Sequence, residues 1–97
     1  EKDISLAEIA YKFNISQSYL SELFKKYTGD NFKNYVNRKK IDKAKEIIEN
    51  NKQIKVKQLS EMLGFNDVNT FIKVFGKYEG MSPGQYAKAM AVKSEQI

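Results

Sequence analysis

Apolar residues recur along this chain at helical spacing, and the whole pattern comes twice. Leu6, Ile9, Phe13 and Ile15 match Val56, Leu59, Leu63 and Phe65 at an offset of 50. Leu20, Leu23, Phe24, Lys26, Tyr27, Gly29 and Tyr35 match Phe71, Val74, Phe75, Lys77, Tyr78, Gly80 and Tyr86 at an offset of 51. One residue is inserted where Ser16 faces Asn66 and Asp67. Residues 6–35 and 56–86 therefore read as one supersecondary unit used twice.

The polar residues between these stripes predict where helices start and stop. Ser5-Leu6-Ala7-Glu8 fits a capping box, with Ile4 and Ile9 as a hydrophobic staple, and predicts a helix from about Leu6 to Phe13. Asn14-Ile15-Ser16 predicts a turn, with Ser16 as N-cap of a second helix. Leu20, Leu23, Phe24 and Tyr27 form that helix's expected buried stripe, and Thr28-Gly29 ends it. The second copy predicts a helix from Val56 to Leu63, a turn at Gly64-Phe65-Asn66, and a helix capped by Asp67 or Asn66 that ends at Gly80. Ser82-Pro83-Gly84-Gln85 is a further capping box with proline at the first helical position. Lys55 is a poor N-cap where the first copy has Ser5, and Gly76 interrupts the second copy's apolar helix.

Between the copies, residues 31–50 predict one long helix whose apolar face changes direction. Phe32, Tyr35 and Val36 cluster on one side, and Ile41, Ala44, Ile47 and Ile48 on another, so the helix should serve two cores in succession. The expected fold is all-α: a first helix-turn-helix unit over 1–30, a connecting helix over 31–50 and a second unit over 51–97.

Composition narrows the chemistry. Ninety-seven residues, 41% of them hydrophobic, suffice for a packed core. With no cysteine and no histidine, disulfide frameworks, thiol chemistry and Ser-His triads are out, and the commonest zinc ligand is missing. Carboxylates such as Glu46 and Glu49 stand among lysines with no nucleophile–base set and no Gly-rich phosphate loop, so no enzyme activity, metal or cofactor is expected. No apolar run reaches membrane-spanning length, and no signal peptide stands at Glu1; a cytoplasmic chain with no membrane partner is expected. The net charge of +5 points to an anionic partner.

A short helix, a tight turn and a second helix with a continuous apolar stripe is a helix-turn-helix, whose second helix can enter the major groove of DNA. Adjacent major grooves on one face lie about 34 Å apart, and a helix of about 20 residues is about 30 Å long. Two such units on one long helix could read two grooves without dimerising, so the chain is expected to be monomeric.

At this point the residues resemble a family. Gly64-Phe65, Phe71, Val74-Phe75, Lys77-Tyr78, Gly80-Met81-Ser82-Pro83 and Tyr86 are similar to the C-terminal DNA-binding domain of AraC/XylS-type bacterial transcriptional regulators. Leu20 through Gly29 and the connecting Arg38, Ile41, Lys43, Ala44, Ile47 and Ile48 extend the resemblance to about residues 4–90. It implies sequence-specific double-stranded DNA binding in adjacent major grooves and transcriptional control, usually activation through contact with RNA polymerase. It also implies a sensory or receiver domain in the parent chain, and a leading helix that this sequence starts too late to hold. Lys40 and Lys73 stand where the family commonly has arginine, and Ala87 where a basic residue is frequent. The alternative is a basic helical protein-interaction module docking on the transcription machinery.

Outward positions at the start of the reading helices are the expected base readers: Gln17, Ser18, Ser21 and Glu22 in the first unit, Val68, Asn69, Ile72 and Lys73 in the second. Gln17 and Asn69 suit adenine, Glu22 a cytosine amino group, Lys73 guanine or phosphate, and Val68 or Ile72 a thymine methyl. Phosphate contacts are expected from Lys25, Lys26, Arg38 and Lys77, with Ser16 and Thr70 at the helix starts. Lys39 and Lys40 read equally well as a solvated face, and Tyr27, Tyr35, Tyr78 and Tyr86 as core or cap packing. The skeleton repeats but the outward residues do not, which predicts an asymmetric DNA site.

Overall fold

The computed structural model describes residues 5–95, and side chains through residue 93. Six helices and no strand are found among the described residues: α1 (Leu6–Lys12), α2 (Gln17–Thr28), α3 (Phe32–Asn50), α4 (Val56–Met62), α5 (Val68–Glu79) and α6 (Pro83–Glu95). The all-α expectation holds, and α3 is one unbroken helix of 19 residues. The described residues fall into two compact units, 5–37 and 38–95, which part within α3.

The helix ends follow the polar residues that predict them. Ser5 Oγ accepts from Glu8 N–H at 3.1 Å and Ser16 Oγ from Tyr19 N–H at 3.1 Å. Asp67, not Asn66, caps α5. Ser82 Oγ accepts from Gln85 N–H at 3.1 Å while Gln85 Oε1 accepts from Ser82 N–H at 3.0 Å, a complete reciprocal box in front of the buried Pro83. Lys55 precedes α4 with no side-chain cap bond. The Ile4 half of the expected staple lies outside the described residues.

Both turns use the same backbone solution. After α1, Asn14 stands at φ 57, and after α4, Gly64 at φ 80. Ile15 N–H reaches Ala10 C=O at 3.0 Å, and Phe65 N–H reaches Ser60 C=O at 3.1 Å. This is the Schellman closure, which needs one residue in the left-handed region; asparagine tolerates it and glycine favours it. Ala10 and Ser60, the acceptors, match at the offset of 50 and are both small and buried. Ser60 Oγ also donates to Asp67 C=O at 3.5 Å, which ties α4 to the start of α5.

The unit over 38–95 has a dense core. Ile41, Ala44 and Ile48 of α3 pack with Leu59, Leu63, Phe71 and Phe75. Phe65, Phe71, Phe75 and Tyr86 follow one another at ring distances of 5.2, 5.9 and 5.6 Å. Burying such a side chain stabilises by about 1.5–3 kcal/mol each. Helix α5 runs through Gly76 without a break, so the glycine costs helix propensity but not continuity.

The unit over 5–37 is built on the same skeleton with less burial. Phe24 meets Phe32 edge-on at 5.2 Å and Tyr35 at 5.0 Å. Ala10 is buried, whereas no residue of α2 is. One expectation fails here. Tyr27 does not join the buried stripe of α2 but is 78% exposed, lying at the helix end with Lys26 Nζ 5.8 Å from its ring. Phe13 is 68% exposed, although its counterpart Leu63 is buried. Repeated sequence fixes a helical face; burial needs an element to cover it. Leu63 has α3 in its core, and Phe13 has no such cover among the described residues of its unit.

Candidate nucleic-acid interface

The expected reading residues stand on the helices that follow the two turns. On α2, Gln17, Ser18 and Glu22 are exposed and Ser21 half-buried; on α5, Asn69, Ile72 and Lys73 are exposed and Val68 half-buried. The opposite face of α5 carries Phe71 and Phe75 into the core, so packing fixes which residues face outward. Each helix therefore presents its own row of side chains: Gln17, Ser18, Ser21, Glu22 against Val68, Asn69, Ile72, Lys73. Among the described residues no cluster of His, Cys, Asp or Glu could hold a metal ion.

The expected phosphate contacts are all exposed: Ser16, Lys25, Lys26, Arg38, Thr70 and Lys77. Their surroundings differ in ways no spacing reveals. Arg38 lies over the Tyr78 ring at 5.5 Å, and Lys77 lies near the same ring at 5.6 Å. Two cations that sequence places 39 residues apart thus share one aromatic platform. Lys40 lies 4.9 Å over the half-buried Phe65, so its stem covers the turn between α4 and α5. Tyr86 packs on Phe75, as expected, and Tyr35 on Phe24.

The two helix starts differ chemically. Ser16 is neutral, accepts from Tyr19 N–H, and keeps its own O–H to donate. Asp67 accepts from Thr70 N–H at 2.8 Å through one oxygen and from Thr70 O–H at 3.0 Å through the other. The Thr70 hydroxyl proton is thereby spent inside the protein. The backbone and side-chain bonds from Thr70, with the Lys73 charge, hold the Asp67 carboxyl below the ordinary aspartate value. It is ionised at any physiological pH. Asp67 is one of two candidate caps in the sequence, but the effect of its carboxylate on Thr70 as a donor becomes visible only with the geometry.

A polar hollow of about 380 Å³ lies along Asp42, Lys45, Glu46, Glu49 and Asn50 of α3. Of its lining residues, Lys45 pairs with Glu79 at 3.3 Å and Glu49 accepts from Tyr86 O–H at 3.3 Å. The hollow is not part of either reading row.

Comparison with known proteins decides the family. A family model described as a helix-turn-helix domain matches residues 6–89. The chain belongs to the AraC-type helix-turn-helix family of DNA-binding transcriptional regulators. Among AraC-type relatives, the Msm operon regulatory protein of Streptococcus mutans is 35% identical over 81 residues, which is 84% of this chain and 29% of that protein. The C-terminal domain of the two-component response regulator yesN from Fusobacterium nucleatum superposes with a TM-score of 0.80 at 36% identity, covering 88% of this chain and 82% of that one. The C-terminal domain of AraT, a response regulator from Geobacillus stearothermophilus, gives 0.82 at 28% identity over 90% and 71% of the two chains. This AraC-type chain spans less than a third of the length of the first such full-length relatives. The family is one of DNA-binding regulators rather than enzymes, and no described helix is long and apolar enough to cross a membrane.

Proposed function

We propose that this chain binds one specific, asymmetric double-stranded DNA site as a monomer and regulates transcription from it, α2 and α5 lying in adjacent major grooves. In this reading residues 1–30 and 51–97 are the two reading units, and residues 31–50 the helix that spaces them. The observation that carries it is the repeat: the inward residues of α2 and α5 match at an offset of 51, while the outward rows differ at every position. At about 1.5 Å per residue, the 19 residues of α3 are about 28 Å long.

Gln17, Ser18, Ser21, Glu22, Val68, Asn69, Ile72 and Lys73 read base edges in this proposal, and Ser16, Lys25, Lys26, Arg38, Thr70 and Lys77 face the backbone. Thr70 offers a phosphate a donor only when its hydroxyl turns away from Asp67 Oδ2. In the whole bacterial protein, in the cytoplasm, a sensory or receiver domain governs the chain; the response-regulator neighbours support this. Activation proceeds through RNA polymerase.

Selection of bound DNA from a random pool tests the reading. One asymmetric consensus spanning two half-sites about one turn apart is expected, with affinity falling steeply as salt rises. Lys73→Ala should change the preferred base at one position, while Lys26→Ala should weaken all sequences alike. A palindromic consensus, or no DNA binding at low salt alongside retained binding to RNA polymerase, would sink it.

A further inference from the structure

One tyrosine position of the repeat carries a cation in both units. Lys26 Nζ lies 5.8 Å from the Tyr27 ring and Lys77 Nζ 5.6 Å from the Tyr78 ring, and the two pairs match at the offset of 51. These distances lie within reach of a cation–π interaction, in which the negative face of the ring attracts the charge. The two rings are held differently. Tyr27 is 78% exposed at the end of α2, and an exposed ring fixes its lysine only loosely. Tyr78 is half-buried and packs against the core that holds Phe71 and Phe75. Its ring also meets the Arg38 guanidinium of α3 at 5.5 Å. Residues 38 and 78 belong to the same compact unit, so one core fixes the ring and the stretch of α3 from which Arg38 projects.

An arginine or lysine side chain gives up much rotamer freedom when it meets a phosphate. A cation already held on a fixed ring has lost part of that freedom before DNA arrives, so binding costs less. Unlike a carboxylate, a ring does not cancel the charge it holds. We propose that Tyr78 is a positioning residue for DNA binding: its ring sets Arg38 and Lys77 in place for the backbone of the second half-site, a service that Tyr27 does not perform for Lys26. The inference rests on the DNA-binding reading above and adds to it a residue that touches no DNA itself.

Variants measured on the selected site and on scrambled DNA test it. Arg38→Gln and Lys77→Gln should each lower the salt slope by about one. Tyr78→Phe keeps the ring and should bind like the wild type. Tyr78→Leu removes the ring and should bind both DNAs about two- to tenfold more weakly, while Tyr27→Leu should leave affinity nearly unchanged. In the Tyr78→Leu background, Arg38→Gln and Lys77→Gln should cost less than in the wild type, a coupling that lost packing alone does not produce. Because Tyr78 touches the core, its ring is also weakened without a change of shape. Fluorinated phenylalanines at position 78 withdraw charge from the ring face, and affinity should fall step by step with the number of fluorines. Affinity independent of fluorination, additive costs in the double variants, or tighter binding by Tyr78→Leu would overturn the proposal. So would unchanged salt slopes in Arg38→Gln and Lys77→Gln, or equal losses at Tyr27 and Tyr78. A loss in Tyr78→Phe as large as in Tyr78→Leu would overturn it too, because the hydroxyl and not the ring would then matter. Wild-type chain that binds no DNA at low salt would instead overturn the DNA-binding reading itself.

Discussion

Gly76 lies inside α5 with nothing within 4 Å of the place a Cβ would occupy. An interior helical glycine costs about 1 kcal/mol relative to alanine through its extra backbone freedom in the unfolded chain. Its counterpart in α2 is Lys25, which carries no such cost. Gly76→Ala should therefore raise stability by about 0.5–1 kcal/mol and the melting temperature by a few degrees, measured by thermal unfolding in circular dichroism. A lower melting temperature would mean that the open space is needed. At this scale the sequence shows the cost of the glycine, while the room for a methyl group is visible only once α5 has neighbours. The same distinction separates Asp67, legible as a cap, from Thr70, whose lost donor is a matter of where one proton points.

Elements were the most legible level. Ser5, Ser16, Asp67 and Ser82 each sit at the helix start that their hydrogen-bonding capacity predicts, because capping is local. The ties between elements were not legible. Tyr86 of α6 donates to Glu49 of α3, 37 residues away, and Lys45 of α3 pairs with Glu79 of α5. Both groups titrate above their ordinary values: burial and then the Glu49 charge push the Tyr86 phenol up, and the hydrogen bond from Lys45 to Glu79 pushes the ammonium up despite its partial desolvation. A raised folded value means stability that is present below the unfolded value and lost as pH rises through the folded one. The unit over 38–95 should thus hold its stability to about pH 10 and lose it progressively above. Denaturant midpoints followed from pH 8 to 11 check this, and Tyr86→Phe should flatten part of the decline. A midpoint independent of pH over that range would show that neither tie contributes.

Across the whole molecule the repeat is equal in letters and unequal in burial. Phe71 and Phe75 are fully buried in α5, whereas α2, on the same skeleton, buries no residue. Periodicity shows which face of a helix is apolar; it does not show which element covers that face. In the second unit α3 supplies Ile41, Ala44 and Ile48 as the cover, and its changing apolar face made that core readable in advance. In the first unit the stripe predicted burial for Tyr27, and neither its exposure nor that of Phe13, the counterpart of the buried Leu63, was legible in it. Local stability follows buried apolar contact, so the two units should not protect their backbones equally. Native-state hydrogen exchange should find the slowest amides in α5 and in residues 41–48 of α3, and markedly faster exchange in α1 and α2. The matched pair Phe13→Ala and Leu63→Ala tests the same asymmetry by energy. Leu63→Ala removes a core side chain and should cost about 2–4 kcal/mol, while Phe13→Ala removes an exposed ring and should cost well under about 1 kcal/mol. Equal costs at the two positions, or equal protection of α2 and α5, would mean that the first unit has a core as tight as the second. The greater freedom of α1 and α2 would then have to be abandoned, and with it the view that one sequence pattern has produced two units of different stability.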